Sequence, residues 1–228
     1  MRSTGYFRTG LVIAASLVSA FALFVPPVHG QQKAGDSLDA AAAAQAAALR
    51  EVDVKMTHPD ADMRIGYLQA FVAEGNARKI ERAIRIAMAS QDEGLRSLGF
   101  RAYIASTGSV IFEILLTPQE KQQIEQYQSR RITSLPRYLE NAYRVSYSIN
   151  VQFEPAPLSS ARGMVKVGGP QLEYAMRGER VTFSGLVLFG GANLQCNWDI
   201  RPTKDLKILA NLACQNWERP VQLTASMF

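Results

Sequence analysis

The sequence predicts an α+β protein: helical hairpins in the first half, then an antiparallel β-sandwich or barrel stapled by one disulfide. Three observations predict it. Apolar residues between positions 57 and 116 recur at helical spacing. At Val145 the period switches to two, and turn signals then interrupt short apolar runs as far as Ala225. The two cysteines, Cys196 and Cys214, both fall within that second half.

Ahead of both halves, residues 1–30 have the three parts of an export signal. Arg2 and Arg8 supply positive charge, and Leu11 to Val25 is an uncharged apolar run short of the ~20 residues that span a bilayer. Pro26-Pro27 breaks that helix, and cleavage after Gly30 leaves Gln31 as the mature start. Export implies a periplasmic or secreted protein with no membrane span once the signal is gone. Removing Arg2 and Arg8 takes the formal +5 to +3, too mild to suggest nucleic acid. His29 leaves with the signal, so His58 is the single mature histidine.

Residues 31–143 are predicted to be helical after a flexible start over 31–37. The Ala-rich stretch Leu38–Leu49 is a strong helix former, with Asp36 or Ser37 placed to cap it. An internal echo follows. Asp60, Met63 and Arg64 are answered by Asp92, Leu95 and Arg96, and Ala70, Phe71 and Ala73 by Ala102, Tyr103 and Ala105. In the first copy Ile65, Leu68, Phe71 and Val72 form one stripe, Glu74-Gly75-Asn76 turns, and Ile80, Ala83, Ile84, Ala87 and Met88 form the return. The second copy reads as Leu95, Leu98, Ala102 and Ala105, a turn at Thr107-Gly108, and a return over Val110–Leu116. Helices are also expected over Pro118–Tyr127 and Arg130–Tyr143, the latter interrupted at Pro136.

Asp-x-x-apolar-Arg at the head of each copy resembles the short HEAT-like repeats over residues 57–116. In that family an Asp caps the first helix of each hairpin, and the Arg one turn in reaches the Asp of a stacked neighbour. The resemblance implies a protein-binding scaffold and no activity. Two copies are fewer than the three a free-standing stack requires, so the flanking helices would have to serve as caps.

Residues 144–228 form the β half. Val145, Tyr147, Ile149, Val151 and Phe153 alternate with polar residues. Strands are expected at Met164–Val167, Leu172–Met176, Val181–Phe189, Leu194–Ile200, Leu206–Cys214 and Val221–Ala225. With Lys204-Asp205-Leu206 as a hairpin tip, Ile200 faces Ala210, Trp198 faces Leu212 and Cys196 faces Cys214. One register then satisfies both the amphipathic pattern and the cysteine pairing. Gln195, Asn197, Asp199, Asn211 and Gln215 fall on the opposite side. An even cysteine count in an oxidising compartment favours the disulfide, and its role is structural.

The residues that carry chemistry are few. Trp198 reads as core, while Trp217, near a strand end, is divided between core and a carbohydrate-stacking position. Arg78, Arg82 and Arg85 recur at i, i+4, i+7 and would suit an acidic partner or phosphate, or a solvated face with Glu81–Arg85 as a pair. Arg130, Arg131, Arg137 and Arg144 form a looser basic stretch. His58 precedes Pro59 in a loop, and Ser109 and Ser184 lack a nucleophile-elbow pattern. No carboxylate pair, metal-ligand spacing or cofactor motif stands out. The sequence therefore argues for binding over catalysis. The first reading is an exported binding or assembly protein of the envelope that holds a protein partner. A carbohydrate-binding module built on the Trp-bearing hairpin is the alternative, and a hydrolase with a scattered site the third.

Overall fold

The structure, a computed structural model, describes residues 30–189 and 191–228. The segment read as an export signal lies outside the described residues, save Gly30. Chain contacts divide the molecule into a unit ending at Ala42 and a second, Ala43–Phe228, that holds every element after the first helix. Among the described residues no helix is long and apolar enough to cross a membrane.

Helix α1 runs Gly30–Met56, so the start expected to be flexible is helical, and Asp36 and Ser37 lie inside the helix instead of capping it. Once a helix is nucleated, an Ala-rich sequence extends it at little cost, which favours growth past a weak stop signal. Its last turns are anchored, with Val52 and Met56 buried. Helix α2 (Ala61–Glu74) follows. Asp60 caps it by accepting from the Asp62 and Met63 amides, and Gly75 closes it at φ +76. Asn76 caps α3 (Ala77–Ala89), which buries Ile80, Ala83, Ile84, Ala87 and Met88. Asp92 caps α4 (Glu93–Thr107), accepting from the Leu95 amide at 3.1 Å.

The expected return helix of the second copy is instead strand β1 (Ser109–Ile114), in which alternate residues are buried. Val110, Phe112 and Ile114 point inward, and Ile111 is 64% exposed. Next come α5 (Pro118–Gln128) and α6 (Arg137–Arg144). The helix expected from Arg130 begins only after Pro136. A proline disfavours helical geometry at the residue before it, and Arg130 itself sits at φ +57. Ser146 and Tyr147, both left-handed (φ +58 and +64), turn the chain from α6 into β2 (Ser148–Phe153), which starts later than expected for that reason.

The remaining strands are β3 (Arg162–Lys166), β4 (Gln171–Arg177), β5 (Arg180–Phe189), β6 (Ala192–Pro202), β7 (Lys207–Cys214) and β8 (Val221–Ser226). Each lies within two residues, at either end, of its expected position. All pair antiparallel in chain order, and β8 pairs with β1 to close an eight-stranded barrel. Closure leaves no unpaired sheet edge. It also settles the choice between sandwich and barrel. Between β6 and β7 the register is Cys196↔Cys214, Trp198↔Leu212 and Ile200↔Ala210, and the disulfide is formed. Side chains fill the barrel: Trp198 is 2% exposed, stacks on Phe183 with centroids 5.4 Å apart, and meets Phe112 at 6.2 Å.

The echoed residues make matching contacts. Arg64 donates to the carbonyls of His58 and Pro59, just before α2, and reaches the Asp92 carboxylate at 3.2 Å. Arg96 donates to the carbonyls of Ser90 and Gln91, just before α4, and its Nε lies 2.6 Å from Glu179 Oε1. Glu179 sits in the β4–β5 turn. It receives from Arg96 what Asp92 receives from Arg64, so the row of rungs begun between helices ends on the barrel. Ser97 Oγ adds a bond to the Gly178 carbonyl at 2.9 Å.

Candidate binding surfaces

Helix α3 separates the three arginines singled out by spacing. Arg82 and Arg85 line a groove of about 470 Å³ together with Arg64 of α2, over a floor that includes Met56 and Ile86. Arg78 lines a different groove of about 380 Å³, with Lys79, Asn76, Gln45 and Leu49. The split runs along the helix axis, because all three share one face: Arg78 stands in the first turn of α3 beside Asn76 and Lys79, and Arg82 and Arg85 stand one and two turns on, beside Met56 and Arg64.

Arg82 and Arg85 already have partners. Arg82 Nε donates to Asp53 Oδ1 at 2.6 Å, and this bond holds the Asp53 carboxyl below its ordinary range and pushes the guanidinium up. Arg85 donates to Glu81 Oε1 at 2.8 and 3.0 Å, the expected pair, and its guanidinium covers the Phe228 ring at 4.0 Å. Both pairs are well exposed, so solvent competes with them and a stronger carboxylate ligand can displace them. On the looser basic stretch, Arg144 pairs with Glu140 at 2.6 Å and the Arg137 amide donates to Glu218.

Trp217 is half-buried, with its ring edge-on to Phe189 at 5.4 Å. Its Nε1 is buried and has no acceptor among the described residues. His58 is a loop residue whose Nδ1 accepts from the Asp60 amide at 3.1 Å. Ser109 and Ser184 lie on strands β1 and β5. Among the described residues no group of three or more His, Cys, Asp or Glu is placed to hold a metal.

Two arrangements escape sequence reasoning. One is a buried carboxylate. Glu120 of α5, 5% exposed, accepts from the Thr117 amide (2.7 Å) and hydroxyl (2.9 Å), from Tyr138 Oη of α6 (2.9 Å), and from Arg219. Arg219 also covers the Tyr138 ring at 4.9 Å, and burial pushes the Tyr138 hydroxyl up. Thr117-x-x-Glu120 is legible as a capping box, but the partners arrive from 18 and 99 residues away. Every oxygen of Glu120 is engaged, so it ties α5 and α6 to the β7–β8 loop and offers nothing to a substrate.

The other is a groove of about 660 Å³ on β4–β7, lined by polar and small residues together with the buried Tyr174, Phe183 and Trp198. Its signal was present in the sequence: Asn197, Asp199 and Asn211 fall on the face opposite the cysteines and Trp198. What could not be read was that this face holds a groove.

The fold is a set of helices followed by a disulfide-stapled, closed eight-stranded antiparallel β-barrel. No protein-family model matches the chain, and no curated protein sequence matches it either.

Proposed function

We propose that this chain is an exported binding or assembly protein of the cell envelope that holds a protein partner. The observation that carries the reading is the groove in which Arg64, Arg82 and Arg85 stand around the partly exposed Ile86, above the buried Met56. Arginine around an apolar centre is the composition of protein-recognition sites, where guanidinium groups pair with carboxylates once water is displaced. The HEAT-like resemblance over residues 57–116, whose second return is strand β1, also points toward a scaffold. The paired cysteines support an oxidising location, periplasmic or secreted. The leader over residues 1–30 supports export.

The test is capture by the mature protein from envelope and secreted fractions, followed by identification of what is retained. Retention of one defined protein by the wild type, its loss in Arg82→Glu/Arg85→Glu, and its persistence in Asn197→Ala is the expected result. Capture unchanged by the double charge reversal contradicts the reading.

A further inference from the structure

We propose that the outer face of β4–β7 is a binding groove for a neutral oligosaccharide, independent of the arginine groove on the helices. The groove lies on the same hairpin that carries Trp198 and the disulfide, but on its other side. Tyr174, Phe183, Trp198 and Leu212 stand in register across β4–β7 and are all buried, so the residues between them face out. Two rows result. Ser184, Asn197 and Ala213 form one, and Ala175, Thr182, Asp199 and Asn211 form the other.

The side chains of Thr182, Ser184, Asn197 and Asn211 make no hydrogen bond among the described residues, yet they share one groove of about 660 Å³. Each carries both a donor and an acceptor. A sugar hydroxyl needs both, and amides and hydroxyls on adjacent strands, about 4.8 Å apart, offer them. The charges at the rim cancel. Arg180 grips Asp199 through two bonds of 2.6 and 2.8 Å, and Arg162 pairs with Glu173 at 3.4 Å.

That neutrality selects the ligand class. A phosphate polymer requires net positive charge, which this groove lacks. A protein partner requires buried aromatic or large apolar anchors, and the outward apolar residues here are only Ala175, Ala213 and Pro220. Elsewhere the barrel does expose large apolar side chains, Ile111 at 64%, Leu186 at 50% and Leu188 at 46%. The groove thus joins amides and hydroxyls, unpaired among the described residues, to small apolar surface and carries no net charge, and a polyhydroxylated, uncharged chain is what it fits.

The experiment is an amide-detected NMR titration of the mature protein with N-acetylglucosamine tetramer and, separately, with cellotetraose. The expected result is saturable movement of the Asn197 and Asn211 side-chain amide signals with at least one of them, with a dissociation constant on the order of millimolar. Asn197→Ala should weaken binding about fivefold, as for one lost hydrogen bond, while the rest of the spectrum stays in place. Ala213→Leu, which fills the groove without removing a polar group, should weaken it as well. Three outcomes overturn the proposal. One is no movement with either sugar at about 10 mM. Another is movement confined to residues outside β4–β7, and the third is affinity unchanged in both variants. Loss of the protein partner in the capture experiment leaves this result untouched, so the two readings fail separately.

Discussion

The helical layer and the barrel both bury apolar side chains, but their specific connections differ in kind. In the barrel, aromatic side chains stack inside a closed sheet and a disulfide joins facing residues of β6 and β7. Between the helices, and from helix to barrel, the specific connections are guanidinium–carboxylate rungs, Arg64–Asp92 and Arg96–Glu179, each only partly shielded from water. Hydrophobic burial is indifferent to pH and strengthened by many salts, whereas half-exposed ion pairs are weakened by both acid and salt. Acid and salt should therefore weaken the Arg64–Asp92 and Arg96–Glu179 rungs first and leave the apolar packing of both layers in place.

Breaking the barrel should have the largest effect. Trp198→Ala removes a ring that stacks on Phe183 in a filled interior and should cost about 3–5 kcal/mol, read as a fall in the urea midpoint with both halves unfolding together. Opening the disulfide comes next. It closes a separation of 18 residues, and its loss should cost about 3 kcal/mol by the loop-entropy estimate. Thermal unfolding with and without reductant measures this. A null effect would mean that the sheet alone fixes the register.

The smallest effect belongs to the ladder. Asp92→Ala loses both the cap of α4 and the rung to Arg64, for about 1–2 kcal/mol. The Asp92 carboxyl is held below its ordinary range, first by the Leu95 amide, with Gly94 and Arg64 adding to it. A depressed folded pKa contributes stability that is complete above the unfolded value, near 3.9, and is lost as pH falls through the lower folded value. Acid unfolding followed by helical circular dichroism should thus show a loss below about pH 4 that shrinks in Asp92→Asn.

How much of this was legible follows from the same contrast. In the barrel, two cysteines and a period-two pattern had a single common solution, so the β6–β7 register was available residue by residue. Strand β1 was not, because its outward position Ile111 is apolar and hides the alternation that marks a half-buried strand. A short apolar run next to a helical repeat then reads as helix. The caps Asp60 and Asp92 were legible from spacing. Glu179 was not, since nothing local says that a hairpin turn 83 residues beyond Arg96 will supply its carboxylate. The same holds for Arg219 on Glu120. Asn197, Asp199 and Asn211 could be placed on the outer face from parity, but the groove they share with Thr182 and Ser184 depends on which strands stand beside one another.

The central claim is that the barrel's β4–β5 turn completes the ladder begun by the helices. Hydrogen exchange of Glu179→Ala against wild type tests it most directly. Faster exchange in α4, and in α2 through the Arg64–Asp92 rung, with β6 and β7 unchanged, is the predicted result. Protection lost equally from helices and barrel, or lost from neither, contradicts it.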